Sequence, residues 1–163
     1  MSEYFLNEFT FQMPEGLKDK THHIFALSDD GPSAFNIVIS RNPIDAEETL
    51  ATYGMRLQRE LSLALAGFRV LSDREITIDG EPALELRFQW LAEGRPMQQT
   101  QVSLFHQPEA GPRLVLQIAA TTTGGEQAKW DPVFQQMLQS VALRRKQTTA
   151  QEPVPMPHYP STY

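Results

Sequence analysis

Cysteine is absent from this sequence, so the chemistry open to it rests on four histidines, His22, His23, His106 and His158, and on scattered carboxylates. Disulfides, thiolate nucleophiles and cysteine-ligated zinc are thereby excluded. His22 and His23 fall in a segment that reads as a strand, where neighbours point to opposite faces, so they do not chelate one metal without a bulge. General acid–base chemistry needs two polarised groups converging in a pocket. The nearest spacings, Asp73 with Glu75 and Glu85 with Arg87, are expected on the watered face of strands. Ser28, Asp29 and Asp30 sit in a turn, where short polar side chains bond to backbone. Gly124 and Gly125 lack the Lys and Ser/Thr that would follow in a phosphate loop. These residues define no catalytic constellation, cofactor site or metal site, and the expectation is a protein that is not an enzyme.

Amide side chains set among apolar ones are the less ordinary pattern. Leu84, Leu86, Phe88 and Trp90 form one strand face, with Glu85, Arg87 and Gln89 on the other. Gln99, Gln101 and Ser103 alternate with Thr100, Val102 and Leu104, and Gln117 lies between Leu116 and Ile118. On a long helix, Met55, Gln58, Ser62 and Leu65 form a lateral stripe beside the inward one, widening its apolar-to-amide surface. Such a mixture either solvates an open sheet face or holds another protein's apolar helix and its few polar groups.

The elements that must position these residues follow from periodicity and breakers. Alternation at Phe9, Phe11 and Met13 predicts a strand within 5–13, stopped by Pro14, Glu15 and Gly16. Strands are expected over 22–28 and 34–41, separated by the breaker run at 29–32. Asp45 followed by Glu48 predicts a helix start by reciprocal capping. Leu50, Leu57, Leu61 and Ala64 line the inward face of that helix, with Gly54 giving a close approach and Gly67 the end. Residues 68–78, 83–91, 98–107 and 113–122 read as four strands joined by short turns, hence an antiparallel meander. A second helix follows over 126–138. The expectation is an α+β domain over 1–145, a curved antiparallel sheet flanked by two main helices.

Residues 146–163 hold four prolines among small and polar residues, a composition that cannot fill a core and is expected to be a disordered tail. With 163 residues, 40% of them hydrophobic, the chain is long enough for one ordinary core. Its 14 Lys and Arg against 20 Asp and Glu give a net charge of -6, which disfavours nucleic acid as a partner. The first residues carry charge early and no apolar run reaches 18, so neither a secretory signal nor membrane insertion is expected, and a cytoplasmic address is.

The whole pattern resembles the DcrB-like Eag family of type VI secretion effector chaperones. The resemblance rests on the MPEG turn at 13–16, the strand at 22–25, FNIVISR at 35–41 before an acidic helix start, and the helix carrying Gln58. DGEPALEL at 79–86 and QMLQSVALR at 136–144 complete it. It covers about residues 3–145 and leaves the proline-rich tail unmatched. It implies a Mog1/PsbP-like fold and a homodimeric chaperone that shields the N-terminal transmembrane helices of a PAAR or Rhs effector. It also implies help in presenting that effector to the VgrG spike, which this chain would meet only through the effector. The client groove implied by the family pattern includes Ile24, Val38 and Gln58, with His22 at a place where relatives carry an aliphatic residue. Ser62, Leu65 and Gln101 join it on the geometry of the predicted elements, and Gln58→Leu is expected to weaken client binding more than folding. Two alternatives remain: a periplasmic accessory protein of the DcrB/PsbP class, expected to carry an export signal or a lipid-attachment cysteine, and a small enzyme or ligand-binding domain on the same sheet, expected to have a deep, closed pocket.

Overall fold

The computed structural model describes residues 2–6, 8–30 and 33–144; the expected proline-rich tail lies outside them. A small hairpin of β1 (Ser2–Phe5) and β2 (Thr10–Met13) comes first, so the segment expected as one strand is turned back on itself. Strands β3 (His22–Ala26) and β4 (Phe35–Pro43) follow, then helix α1 (Leu50–Ala64). Next come β5 (Arg69–Ile78), β6 (Glu81–Ala92), β7 (Arg95–His106) and β8 (Leu114–Thr123), and then helix α2 (Gln127–Gln139).

Strands β3 to β8 form one antiparallel sheet in the order β3-β4-β8-β7-β6-β5. The turns β5–β6 and β6–β7 are two-residue reversals in which Asp79 with Gly80, and Glu93 with Gly94, all have positive φ. That is the twist required by tight hairpins, and it explains both acidic-Gly pairs. The meander is therefore as expected, and β4 then lies alongside β8 to extend the sheet.

Because alternate residues of a strand face opposite sides, each strand feeds two cores. Ala83, Val102, Leu104, Ile118 and Ala120 pack with Phe134 and Leu138 of α2. Leu84, Leu86, Phe88 and Val115 pack with Tyr53 and Leu57 of α1. Ala83 and Leu84 are sequence neighbours in different cores, so the two helices cover opposite faces. Gly54 lets α1 come close to the sheet: a Cβ there would sit 2.9 Å from Leu84 Cδ2.

Two expectations are corrected. Helix α1 begins after Thr49, not at Asp45: the Thr49 hydroxyl accepts from Thr52 N while the Thr49 amide donates to Thr52 Oγ1. Arg113 donates to the carbonyls of Ala46 and Glu48 at 3.0 and 2.7 Å, which holds that segment as a turn. Glu85 with Arg87 is not a watered surface pair, since Glu85 has 0% exposure on the α2 face. Arg74 Nε donates to its carboxylate at 2.8 Å, Gln135 of α2 approaches at 3.5 Å, and Arg87 bridges to Asp131 of α2 at 3.0 Å. A strand carboxylate with two arginines thus ties α2 to the sheet.

Candidate functional site

Helix α1 covers β6 and part of β7 and leaves the same face of the sheet uncovered toward β3. The pairing registers give three rows that run across that face. One row is Ile24, Val38, Ala119, Gln101 and Leu86; on one side lie Ala26, Asn36, Thr121, Gln99 and Phe88. On the other side lie His22, Ser40, Gln117, Ser103 and Leu84. Each row ends under α1 in Leu84, Leu86 or Phe88, whereas Val38 and Ala119 are half-buried and belong to neither core. Ile24, at the sheet edge, is 68% exposed.

The result is an apolar lane of Ile24, Val38 and Ala119 between two rows rich in hydrogen-bonding groups. Several of these groups bond to one another or to neighbours just outside the rows. Gln99 Nε2 donates to Gln101 Oε1 at 3.1 Å, and Thr121 Oγ1 donates to Gln99 Oε1 at 3.1 Å. Ser40 Oγ and Asn42 Nδ2 both donate to Gln117 Oε1, at 3.0 and 3.2 Å. Gln117 Nε2 in turn donates to the phenol oxygen of Tyr53 at 2.5 Å. The buried phenol, 3% exposed, stands edge-on to Phe105 and fixes the wall of α1 against the floor. Burial raises its pKa, opposed by hydrogen bonds from Ser103 and Gln117 and by the charge of Arg56.

Four of the residues singled out from the sequence come together here: His22, Ile24, Val38 and Gln101 all point to this face. Gln58, Ser62 and Leu65 do not join them. Gln58 Nε2 donates to Asp73 Oδ2 of β5 at 2.5 Å, on the flank of α1 facing the other sheet edge. The exposed Ser62 hydroxyl donates to the Arg59 carbonyl at 2.7 Å, and Leu65 packs at the margin of the α1 core. The helical wheel separates Gln58 from Tyr53 by about 140°, so the two flanks of α1 address different edges. Asn36, Ser40, Ala119 and Thr121 were not singled out. The alternation of β4, with apolar Phe35, Ile37 and Ile39 against Asn36, Val38 and Ser40, was the available signal, but only the β4–β8 pairing sets it beside β8.

The uncovered part of this sheet face thus presents an apolar lane with hydrogen-bonding side chains along both borders. The described residues contain no group of three His, Asp or Glu side chains able to hold a metal. Among the described residues no helix is long and apolar enough to cross a membrane. The DcrB family model matches residues 8–140, and the chain belongs to that family. Effector EagT6 of Pseudomonas aeruginosa is 30% identical over 145 residues, which is 88% of this chain and 97% of that protein, and the chain belongs with the Eag proteins. A solved structure of PA94 from Pseudomonas aeruginosa, described as a protein of unknown function and putative regulator, superposes with a TM-score of 0.72. It shares 29% identity and covers 89% of this chain and 98% of its own. LpqN, involved in cell envelope biogenesis of Mycobacterium tuberculosis, has a TM-score of 0.51 at 18% identity over 74% of this chain and 82% of its own, a likeness of fold.

Proposed function

We propose that this protein is a cytoplasmic chaperone of a type VI secretion effector and that its open sheet face shields the effector's N-terminal transmembrane helices before export. The observation that carries the reading is the lane of Ile24, Val38 and Ala119, bordered by the amides and hydroxyls of Asn36, Ser40, Gln99, Gln101 and Thr121. An apolar helix in water carries a cost of roughly 25 cal/mol per Å² of exposed apolar surface, which a complementary face removes. The bordering rows offer donors and acceptors to polar groups of the helix that would otherwise be buried unpaired. Ala119 at the centre gives the helix room to approach the sheet. Membership beside EagT6 supports the same reading.

On this reading the client carries a PAAR or Rhs module, two copies of the chain act together, and VgrG is met only through the effector. The reading needs no cofactor and no reaction. The test is co-expression with the N-terminal segment of such an effector and purification without detergent. The wild-type chain retains the segment, whereas Val38→Arg and Ala119→Arg lose at least tenfold in recovery at unchanged melting temperature. A wild-type chain that fails to retain it, or variants that retain it equally, refutes the reading.

A further inference from the structure

The last described residues line a groove. Past α2, Val141 and Leu143 pack at the margin of the α2 core, and the Leu143 amide donates to Asp79 Oδ2 in the β5–β6 turn at 2.9 Å. That contact pins the departing chain at the end of the sheet where β6 and β8 begin and β7 finishes. A hollow of about 530 Å³ opens there, lined by Leu116, Leu143, His106 and Pro108 and by the acidic Glu81 and Glu109. Arg144, the last described residue, is itself part of its wall. The hollow continues past Phe105 and His106 into a second one beside Pro82 and Thr49. The groove therefore crosses the end of the sheet from the close of α2 toward the start of α1.

We propose that this groove holds the chain's own residues 145–160, within one molecule and in extended polyproline form. Arg145 and Lys146 follow Arg144 directly and bring two further cations to a groove that carries Glu81 and Glu109. Pro153, Pro155, Pro157 and Pro160 have no amide hydrogen, so this stretch cannot join the sheet as a central strand or close a helix. A polyproline helix needs no such hydrogen, and its period of three sets Val154, Pro157 and Pro160 on one apolar edge. Edges of that kind dock against aromatic walls, which Phe105 and His106 supply. A composition that cannot fill a core can thus still line a groove. At about 3.1 Å per residue the segment spans up to roughly 50 Å, several times the width of three strands spaced about 4.8 Å apart. Because it begins in the groove's own wall, docking is intramolecular, at an effective concentration of roughly a millimolar, and modest contacts suffice. The segment lies outside residues 8–140, which carry the family match, and its docking stands whether or not the open face holds a client.

The absence of cysteine makes the test direct, because Ser161→Cys in the full chain takes a single nitroxide label just beyond the segment. In isotope-labelled protein the nitroxide is expected to broaden the amides of His106, Gln107 and Leu143 at least tenfold more than those of Val38 and Ala119 on the open face. Val154→Ser with Pro157→Ser is expected to erase that contrast, as is Glu81→Lys with Glu109→Lys; the first pair lies in neither core, so its effect is not one of misfolding. A mixture of isotope-labelled wild type with unlabelled, nitroxide-bearing chain is expected to show no broadening. Broadening in the mixture means that the groove takes a second copy's segment and overturns docking within one molecule. Broadening centred on Val38 and Ala119 puts the segment on the open face and overturns the groove. A contrast that survives Val154→Ser with Pro157→Ser overturns the polyproline edge. Even, weak broadening throughout, with relaxation of residues 147–160 like that of a free chain, overturns the proposal as a whole.

Discussion

Glu85 is the residue whose environment departs furthest from what its sequence neighbourhood suggests. Burial alone would push its carboxyl upward, yet the hydrogen bond from Arg74 and the charges of Arg87 and Arg74, with Gln135 adding a further bond, hold it below the usual range. Removing the buried carboxylate takes the ion-pair partner from Arg74 and leaves Arg87 with Asp131 alone, so Glu85→Ala is expected to cost about 3 kcal/mol, read from the urea midpoint. Glu85→Gln keeps the volume and isolates the charge. A carboxyl with a depressed folded pKa contributes stability above its unfolded value, near 4.5, and loses it as pH falls through the lower folded value. The stability difference between wild type and Glu85→Gln should therefore be largest at neutral pH and shrink as the solution is acidified below about pH 4. A difference that is flat with pH would mean that Glu85 is not ionised in the folded protein. Asp19 supplies a second acid-labile contact, held at about 2 by the Thr21 hydroxyl, the Tyr4 phenol and the Thr21 amide, with the Arg41 charge assisting. It ties the N-terminal hairpin, through Tyr4, to Thr21 at the start of β3.

At the scale of elements, helix α1 decides where the open face lies, and its start is set by Thr49. Replacing Thr49 by Ala removes the capping hydroxyl and is expected to cost about 1 kcal/mol. Asp45→Ala should stay within about 0.5 kcal/mol, because Asp45 precedes the helix and gives it no cap. Equal urea midpoints for both variants would contradict that assignment. The capping spacing of Asp45 and Glu48 is a genuine local signal, but a tertiary contact overrides it. Arg113, stacked 4.3 Å above Phe105, claims the Ala46 and Glu48 carbonyls, while Glu48 holds Arg56 in a two-toothed ion pair. Arg113 lies 65 residues from Glu48, and no local pattern encodes that contact. The strands were more readable. Acidic-Gly pairs at Asp79–Gly80 and Glu93–Gly94 fix two hairpins from neighbouring residues alone, and the strand alternation survives in the structure. Readable, too, was Gly54 as a close approach. Tyr53 was not, because an aromatic beside an expected stripe of leucines gives no sign that its hydroxyl reaches Gln117 on a strand 64 residues away.

The described residues form a six-stranded sheet between two helices, with a small N-terminal hairpin, and which helix covers which face is the level at which sequence reasoning runs out. Alternation shows that β6 has two faces, but only the topology assigns Leu86 to α1 and Ala83 to α2 and leaves Val38 and Ala119 to neither. The same gap separates the candidate site into its two groups: periodicity puts Gln58 beside the inward stripe without saying which sheet edge that flank faces. Because both cores share the strands, Leu57→Ala and Phe134→Ala are each expected to cost about 3 to 4 kcal/mol and to shift a single calorimetric transition. Two separate transitions would mean that the faces fold independently.

Client binding couples to this cooperative unit, and the coupling separates the two candidate flanks. A segment that binds only the folded chain stabilises it by about 2.7 kcal/mol at a hundredfold excess over Kd, which for a domain of this size raises the melting temperature by roughly 5 to 10 °C. If the lane at Val38 and Ala119 receives the helix, Val38→Arg should abolish that rise while leaving the free protein's melting temperature nearly unchanged, since Val38 lies in neither core. Gln58→Leu should keep the rise, because Gln58 is engaged with Asp73 on the far flank of α1. The reverse pattern, with the rise lost in Gln58→Leu and kept in Val38→Arg, would put the client at the β5 edge and make Gln58, Ser62 and Leu65 its contacts. The two variants lie on opposite sides of one helix, so the shift in melting temperature reports which side the client occupies without knowledge of the client's own structure.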